Sequence, residues 1–241
     1  MRRPRGGVCE TNCRERHNGL PIASGCRTVY RPGMSTSYHK GNVRADMVRE
    51  GLRILAEEGL EAVTLRRLAR EIGIAPSSIY NHFANRRALL ATLAQDGFKQ
   101  LLARQQEVFD PEPDFNEAMK AAAREYLLFA NRNQHLYRLM FSWQMGDAKD
   151  FPDLARAGYN FISESAQWWY GEPYDATSKF IADYPGPLMA WAAIHGLAML
   201  VIQQNVALEG RDEAALTKLV DNFQDSLAPA FDAARKQGVR K

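Results

Sequence analysis

Ser77, Ser78, Tyr80, Asn81 and His82 set two hydroxyls, a phenol, a carboxamide and an imidazole almost in succession. Such tips hydrogen-bond phosphates and base edges, and a short helix carrying them can enter a DNA major groove. The element that must position them is readable. Thr64 precedes Leu65, Leu68 and Ile72 at helical spacing, and Gly73 stops that run. Pro76, favoured in a first turn, opens a third short helix through about His82. Two short helices around a tight turn form a helix-turn-helix, with Leu68, Ala69, Ile72, Ile74 and Ile79 as its apolar core. Arg67 and Arg70 either join the DNA-facing surface or only solvate a helix face.

A second group with chemical potential lies at the start of the chain. Cys9, Cys13, His17 and Cys26 read C-x3-C-x3-H-x8-C. That spacing matches no familiar zinc pattern, and no periodic apolar frame surrounds it. Residues 1–33 are rich in Arg and Gly, and we expect a disordered leader; an upstream mis-assignment of the start codon, with Met34 as the true start, is left open. No cysteine follows Cys26, which excludes a disulfide-built fold and suits a reducing, cytoplasmic setting. No metal and no cofactor is expected.

Charge is uneven along the chain. Residues 1–33 carry a net +5, residues 34–108 +3 and residues 109–241 −5, within an overall +3. A basic front suggests a polyanionic partner. The longest apolar run, Leu188 to Ile202, is interrupted by His195 and Gly196 and is shorter than the ~20 residues that span a bilayer. A buried helix is expected there, and no membrane partner.

Elsewhere the pattern is helical almost throughout, at about 42–58, from Asn85 past Leu102, and at 114–131, 133–144, 152–170, 175–184, 187–206 and 212–236. Breaks are expected at Gly146, Gly171 with Pro173, Pro185-Gly186-Pro187 and Gly210. No stretch alternates as a strand does. The expected fold is all-α, with an N-terminal three-helix DNA-binding domain and a C-terminal helical bundle. The expected boundaries are 34–84 for the DNA-binding domain, 85–107 for a connecting helix, and 108–241 for a ligand-sensing and dimerisation domain.

Aromatic and Met residues crowd the C-terminal half. Tyr137, Met140, Phe141, Trp143, Phe161, Trp168, Trp191, His195 and Met199 are the candidate lining of an apolar ligand pocket, although each alone is more often core. Trp168 and Trp169 cannot both face one core, so at least one meets a pocket, a partner or solvent. Tyr126 and Tyr170 belong to the same crowd. No G-x-S-x-G, P-loop, G-x-G-x-x-G or H-E-x-x-H is present, and an enzyme is not expected.

The run from Tyr38 to about Leu102 resembles the TetR family of bacterial repressors. The likeness is carried by Tyr38-His39-Lys40-Gly41-Asn42, Ala56-Glu57-Glu58-Gly59, Thr64 through Ala69, Gly73 through Phe83, and Arg86 through Leu90. Trp191 through Leu197 resembles the Trp-x3-His-Gly segment of one branch of that family. The resemblance implies a DNA-binding transcriptional regulator, a repressor released from a palindromic operator by a small hydrophobic ligand. It implies a homodimer through the last two long helices, in which two recognition elements read successive major grooves. The DNA contacts it implies are Lys40, Thr64, Arg66, Ser77, Ser78, Tyr80, Asn81, His82 and Arg86; Tyr80 and His82 would hold phosphates, and Ser77 and Ser78 would face the groove. Arg86 stands where the family usually has Lys. The rival reading is a constitutive or nucleoid-associated DNA-binding protein with the same front end and a solid C-terminal core.

Overall fold

A computed structural model describes residues 42–112, 114–142, 153, 157, 169, 185–208 and 210–238. Among these the regular elements are helices and single 3₁₀ turns. Seven α-helices are labelled here: α1 Val43–Glu58, α2 Leu65–Glu71, α3 Arg86–Phe109, α4 Phe115–Arg132, α5 Gln134–Met140, α6 Pro185–Ile202 and α7 Glu213–Gly238. Lys40, Trp143, Phe161 and Trp168 lie outside the described residues.

The helix starts follow their caps. The side chains of Asn42, Thr64, Asn85 and Asp114 accept from the backbone N–H of Ala45, Arg67, Ala88 and Glu117, each satisfying a donor that the first turn leaves unpaired. Gly59 and Gly73 sit at φ 84° and 72°, in the left-handed region that lets the chain leave α1 and α2 sharply. Asp96 and Gly97 lie inside α3, as the flanking leucines require.

Several expected boundaries differ, among them the end of α5, at Met140 rather than near 144. The segment expected as a third α-helix from Pro76 is a 3₁₀ turn over Ser78–Asn81, with Ser78 N–H donating to Ala75 and His82 N–H to Ile79. It is too short to repay the cost of starting an α-helix, and no side chain caps it. Pro185 and Pro187, expected as a break, form the first turn of α6, where no amide donor is needed. The same helix ends at Ile202 rather than near 206, because Gln204 takes φ 61° and Asn205 N–H turns back to Leu200.

Packing builds one large core. Met47, Ile54 and Leu55 of α1, Leu68 and Ala69 of α2, and Ile79 and Phe83 of the 3₁₀ segment meet Leu89, Leu93 and Leu101 of α3. Each buried Leu, Ile, Met or Phe among them contributes roughly 1.5–3 kcal/mol by leaving water. The core continues without interruption through Tyr126, Leu127 and Phe129 of α4 to Ala198 and Val201 of α6 and Leu216 and Val220 of α7. A smaller cluster holds Trp169, Ala190 and Phe231. Helix α4 packs antiparallel to α7 along a ladder of ion pairs: Lys120 with Asp225 at 2.6 Å, Arg124 with Asp221, and Arg132 with Glu213 at 2.7 Å. Positions on α4 rise by four and eight while those on α7 fall by the same steps, so the ladder fixes register more than it stabilises. No helix among the described residues is long and apolar enough to cross a membrane.

Candidate nucleic-acid interface and a buried polar core

Residues 77–82 are held from below and left free above. Ile79 and Phe83 are buried, which leaves Ser77, Tyr80 and Asn81 exposed and Ser78 and His82 half-buried. Tyr80 is 61% exposed, an unusual state for so large an aromatic side chain. Arg66 and Arg70 are exposed on α2. Thr64 accepts from Arg67 N–H at 3.3 Å, and its hydroxyl hydrogen remains available to donate outward.

The arginines divide by role. Arg67 forks onto both carboxylate oxygens of Glu58, tying α2 to the end of α1 and holding the Glu58 carboxyl below its ordinary range. Neither reading left open for it describes this tie: Arg67 is held across the two helices by Glu58 rather than solvated on a helix face. Arg86 is also committed: its Nε donates to Val63 O at 2.7 Å and its Nη2 to Leu60 O at 2.6 Å. These bonds engage the first carbonyl of the 3₁₀ turn Leu60–Ala62 and that of its C-cap Val63, and lock the turn to the start of α3, leaving Nη1 as the part of the guanidinium without a carbonyl partner there. Arg44 lies 4.8 Å from the Phe83 ring centre and clamps the chain after the exposed segment. Sequence reading did not single out that contact, because only folding brings residue 44 over residue 83.

A second concentration of polar groups lies inside the C-terminal helices. The His195 Nδ1 of α6 lies 2.7 Å from the Tyr137 hydroxyl of α5 and 3.0 Å from the Tyr126 hydroxyl of α4, and the two hydroxyls are 3.1 Å apart. Burial pushes both phenols well above their usual range and holds the His195 imidazole below its own. Phe141 stacks edge-on at 4.5 Å from the His195 ring centre, and Trp191 lies 5.7 Å from it.

Beside this triad is a cavity of about 40 Å3 walled by Gln105, Met119, Tyr126, Trp169, Trp191 and Gln224, among others. Of the candidate pocket residues, Trp191 lines it, while Tyr137, Phe141 and His195 form the adjoining aromatic cluster. Met140 instead packs over Gly97 of α3 as core, and Met199 packs against the main core. Trp169, outside the candidate set, contributes a further wall. Gln105 and Gln224 were also missed. Their signal was present: each sits four residues after a buried aliphatic, Leu101 and Val220, within an apolar helical stripe. Among the described residues no cluster of His, Cys, Asp or Glu could hold a metal ion.

Residues 48–93 match the family model for bacterial regulatory proteins of the tetR family, and residues 119–223 match the tetracyclin repressor-like C-terminal domain. Over 105 residues the chain is 29% identical to the nucleoid occlusion factor SlmA of Vibrio cholerae, a match covering 42% of this chain and 54% of that protein. The chain thus spans about half the length of the curated relatives of this kind. A shorter match, 42% identical over 52 residues, links it to the class C tetracycline repressor of Escherichia coli, covering 22% of this chain and 24% of that one. In solved structures, a protein of unknown function from Rhodococcus sp. RHA1 superposes with TM-score 0.62 at 25% identity, covering 80% of this chain and 99% of its own. The fatty acid degradation regulator FadR of Bacillus halodurans shares the fold with TM-score 0.55 at 14% identity, covering 78% and 95%. With both the helix-turn-helix segment and the C-terminal helices matched, over more than half the chain, the protein belongs to the TetR family of DNA-binding bacterial regulators.

Proposed function

We propose that this protein is a cytoplasmic one-component repressor that binds a palindromic operator as a homodimer and is released by a small, mainly apolar effector held among its C-terminal helices. The observation that carries the DNA-binding part is the exposed 77–82 segment on its buried Ile79–Phe83 base. In this reading Ser77 and Ser78 meet base edges, and Tyr80, His82 and the Thr64 hydroxyl meet phosphates.

Dimerisation is supported by α6. Its residues are apolar on nearly all sides, yet Ala192, Gly196 and Leu200 share an exposed ridge; Leu200 is 45% exposed, and nothing lies within 4 Å of where a Gly196 Cβ would stand. The branch marked by Trp191, His195 and Gly196 would pair this face and α7 with their copies. Coupling has a physical route in α5. That helix carries Tyr137 against His195 on one side and His135 against Gly59, the stop of α1, on the opposite side. A shift of α5 would therefore be felt by the helix that supports α2.

One observation favours the constitutive DNA-binding alternative: among the described residues the cavity beside the His195 triad is far smaller than the ~300–1,000 Å3 of a drug-sized site, although a mainly polar-lined hollow of about 310 Å3 at Leu52, Gln100, Asn133 and His135 reaches that range. Fluorescence anisotropy on DNA from upstream of its own gene, against a scrambled duplex, tests the main reading. Tyr80→Ala should weaken both affinities alike, whereas Ser77→Ala should reduce preference for the specific duplex by about 1–3 kcal/mol. Unchanged binding by Tyr80→Ala would refute the placement of the interface. Absence of any metabolite that shifts operator affinity would favour the constitutive alternative.

A further inference from the structure

We propose that the cavity between α3, α4, α6 and α7 recognises an uncharged head group that both donates and accepts a hydrogen bond, of the carboxamide or alcohol class, on a short apolar tail. This deepens the effector reading above and rests on it for its regulatory meaning. Two polar atoms in the cavity wall are buried without a hydrogen-bond partner: Gln105 Oε1, an acceptor, and Trp191 Nε1–H, a donor. The Trp191 N–H approaches the Tyr126 oxygen, the smallest of three influences on that phenol, but makes no hydrogen bond of normal geometry to it, and Tyr137 and His195 already engage that oxygen.

Gln105 is only 6% exposed, and its Nε2 donates to Ala122 O at 3.1 Å. That bond fixes the carboxamide with its oxygen free. Leaving a buried acceptor and a buried donor unmatched is costly, and it persists where something else supplies the partners. Among the described residues no Asp, Glu, Lys, Arg or His lines the cavity, so none of them would compensate a buried ion there. A carboxylate or ammonium is therefore disfavoured. One N–H or O–H for Gln105 Oε1 and one oxygen for the Trp191 N–H complete the wall. Gln224, 3% exposed, adds a second carboxamide to it. About 40 Å3 is the room of a few heavy atoms, roughly two or three waters' worth, so the head group is small and Met119, the most adaptable wall residue, yields to the tail.

The test uses the full chain with four small probes: butyramide and 1-butanol, which donate and accept; 2-pentanone, which only accepts; and butyrate, which is charged. The indole 15N–1H resonance of Trp191, assigned through Trp191→Phe, is followed by NMR titration. Butyramide and 1-butanol should move it at millimolar concentration, 2-pentanone about tenfold less tightly, and butyrate more weakly still. Gln105→Met should erase the advantage of butyramide over 2-pentanone; if that variant unfolds, the four-probe ranking on the natural protein decides alone. Equal binding of all four probes, or binding of none, overturns the proposal and leaves a site satisfied by ordered water. The same titration on operator-bound protein separates the two readings. If butyramide binds as expected but operator DNA leaves its affinity unchanged, the head-group chemistry stands and effector release fails. If no probe binds while operator affinity is intact, the head-group proposal alone falls.

Discussion

Tyr80 stands 61% exposed above a buried Ile79, whereas Tyr126 and Tyr137 are buried with their hydroxyls tied to each other and to His195. The same side chain serves opposite ends. Around residues 77–82, polar tips remain hydrated and free to exchange water for a partner, so the local fold depends on the apolar residues beneath them. Among the C-terminal helices, polar tips are removed from water and depend on one another. The first region can lose a polar group without losing its fold; the second cannot do so freely.

The largest expected effect attacks the base of the exposed segment. Leu68 is fully buried, and Leu68→Ala should lower stability by about 2–5 kcal/mol in urea unfolding and abolish DNA binding with it. A loss below 1 kcal/mol would mean that α2 is not held by its core. Next comes the internal triad. Tyr137→Phe keeps the ring and removes the 2.7 Å bond to His195, and it should cost about 1 kcal/mol while leaving DNA affinity of the folded protein near its starting value.

The triad also predicts a pH dependence. Because burial lowers the His195 pKa in the folded state, the unfolded chain binds that proton more readily. Stability contributed by neutral His195 is therefore present above its unfolded value of about 6.5 and is lost as pH falls below it. Thermal unfolding between pH 8 and pH 5 (a window of ~3 units around that value) should show a steeper decline for the natural protein than for His195→Gln. Equal slopes would remove His195 as the cause.

Smaller still is the ion-pair ladder. Lys120→Met breaks the contact to Asp225 near one end of α4 and should cost about 0.5 kcal/mol or less, an effect that high salt reduces. The least effect on folding belongs to Tyr80→Ala, within about 0.5 kcal/mol of the natural protein, because its ring already faces water. Set beside Tyr137→Phe, it separates a tyrosine kept for a partner from one kept for the fold. A Tyr80→Ala loss larger than that of Tyr137→Phe would reverse the comparison.

The sequence by itself determined what neighbours along the chain can decide. Caps at Asn42, Thr64 and Asn85, stops at Gly59 and Gly73, and the alternation of buried and exposed positions from Leu68 to Phe83 all act within one or two turns. The helix-turn-helix and its exposed polar tips were therefore legible, and so were the long apolar helices. The tertiary structure decided what depends on residues far apart. Arg67 read as either DNA-facing or solvated, and Arg86 as an implied DNA contact, and only the fold brings Glu58 to the first and the Leu60 and Val63 carbonyls to the second. The list of aromatics could not say that Met140 fills the space over Gly97, or that Gln105, Trp191 and Gln224 share one wall. A buried polar group is defined by what surrounds it in space, and Gln105 and Gln224 come together only after more than a hundred residues of chain have folded between them.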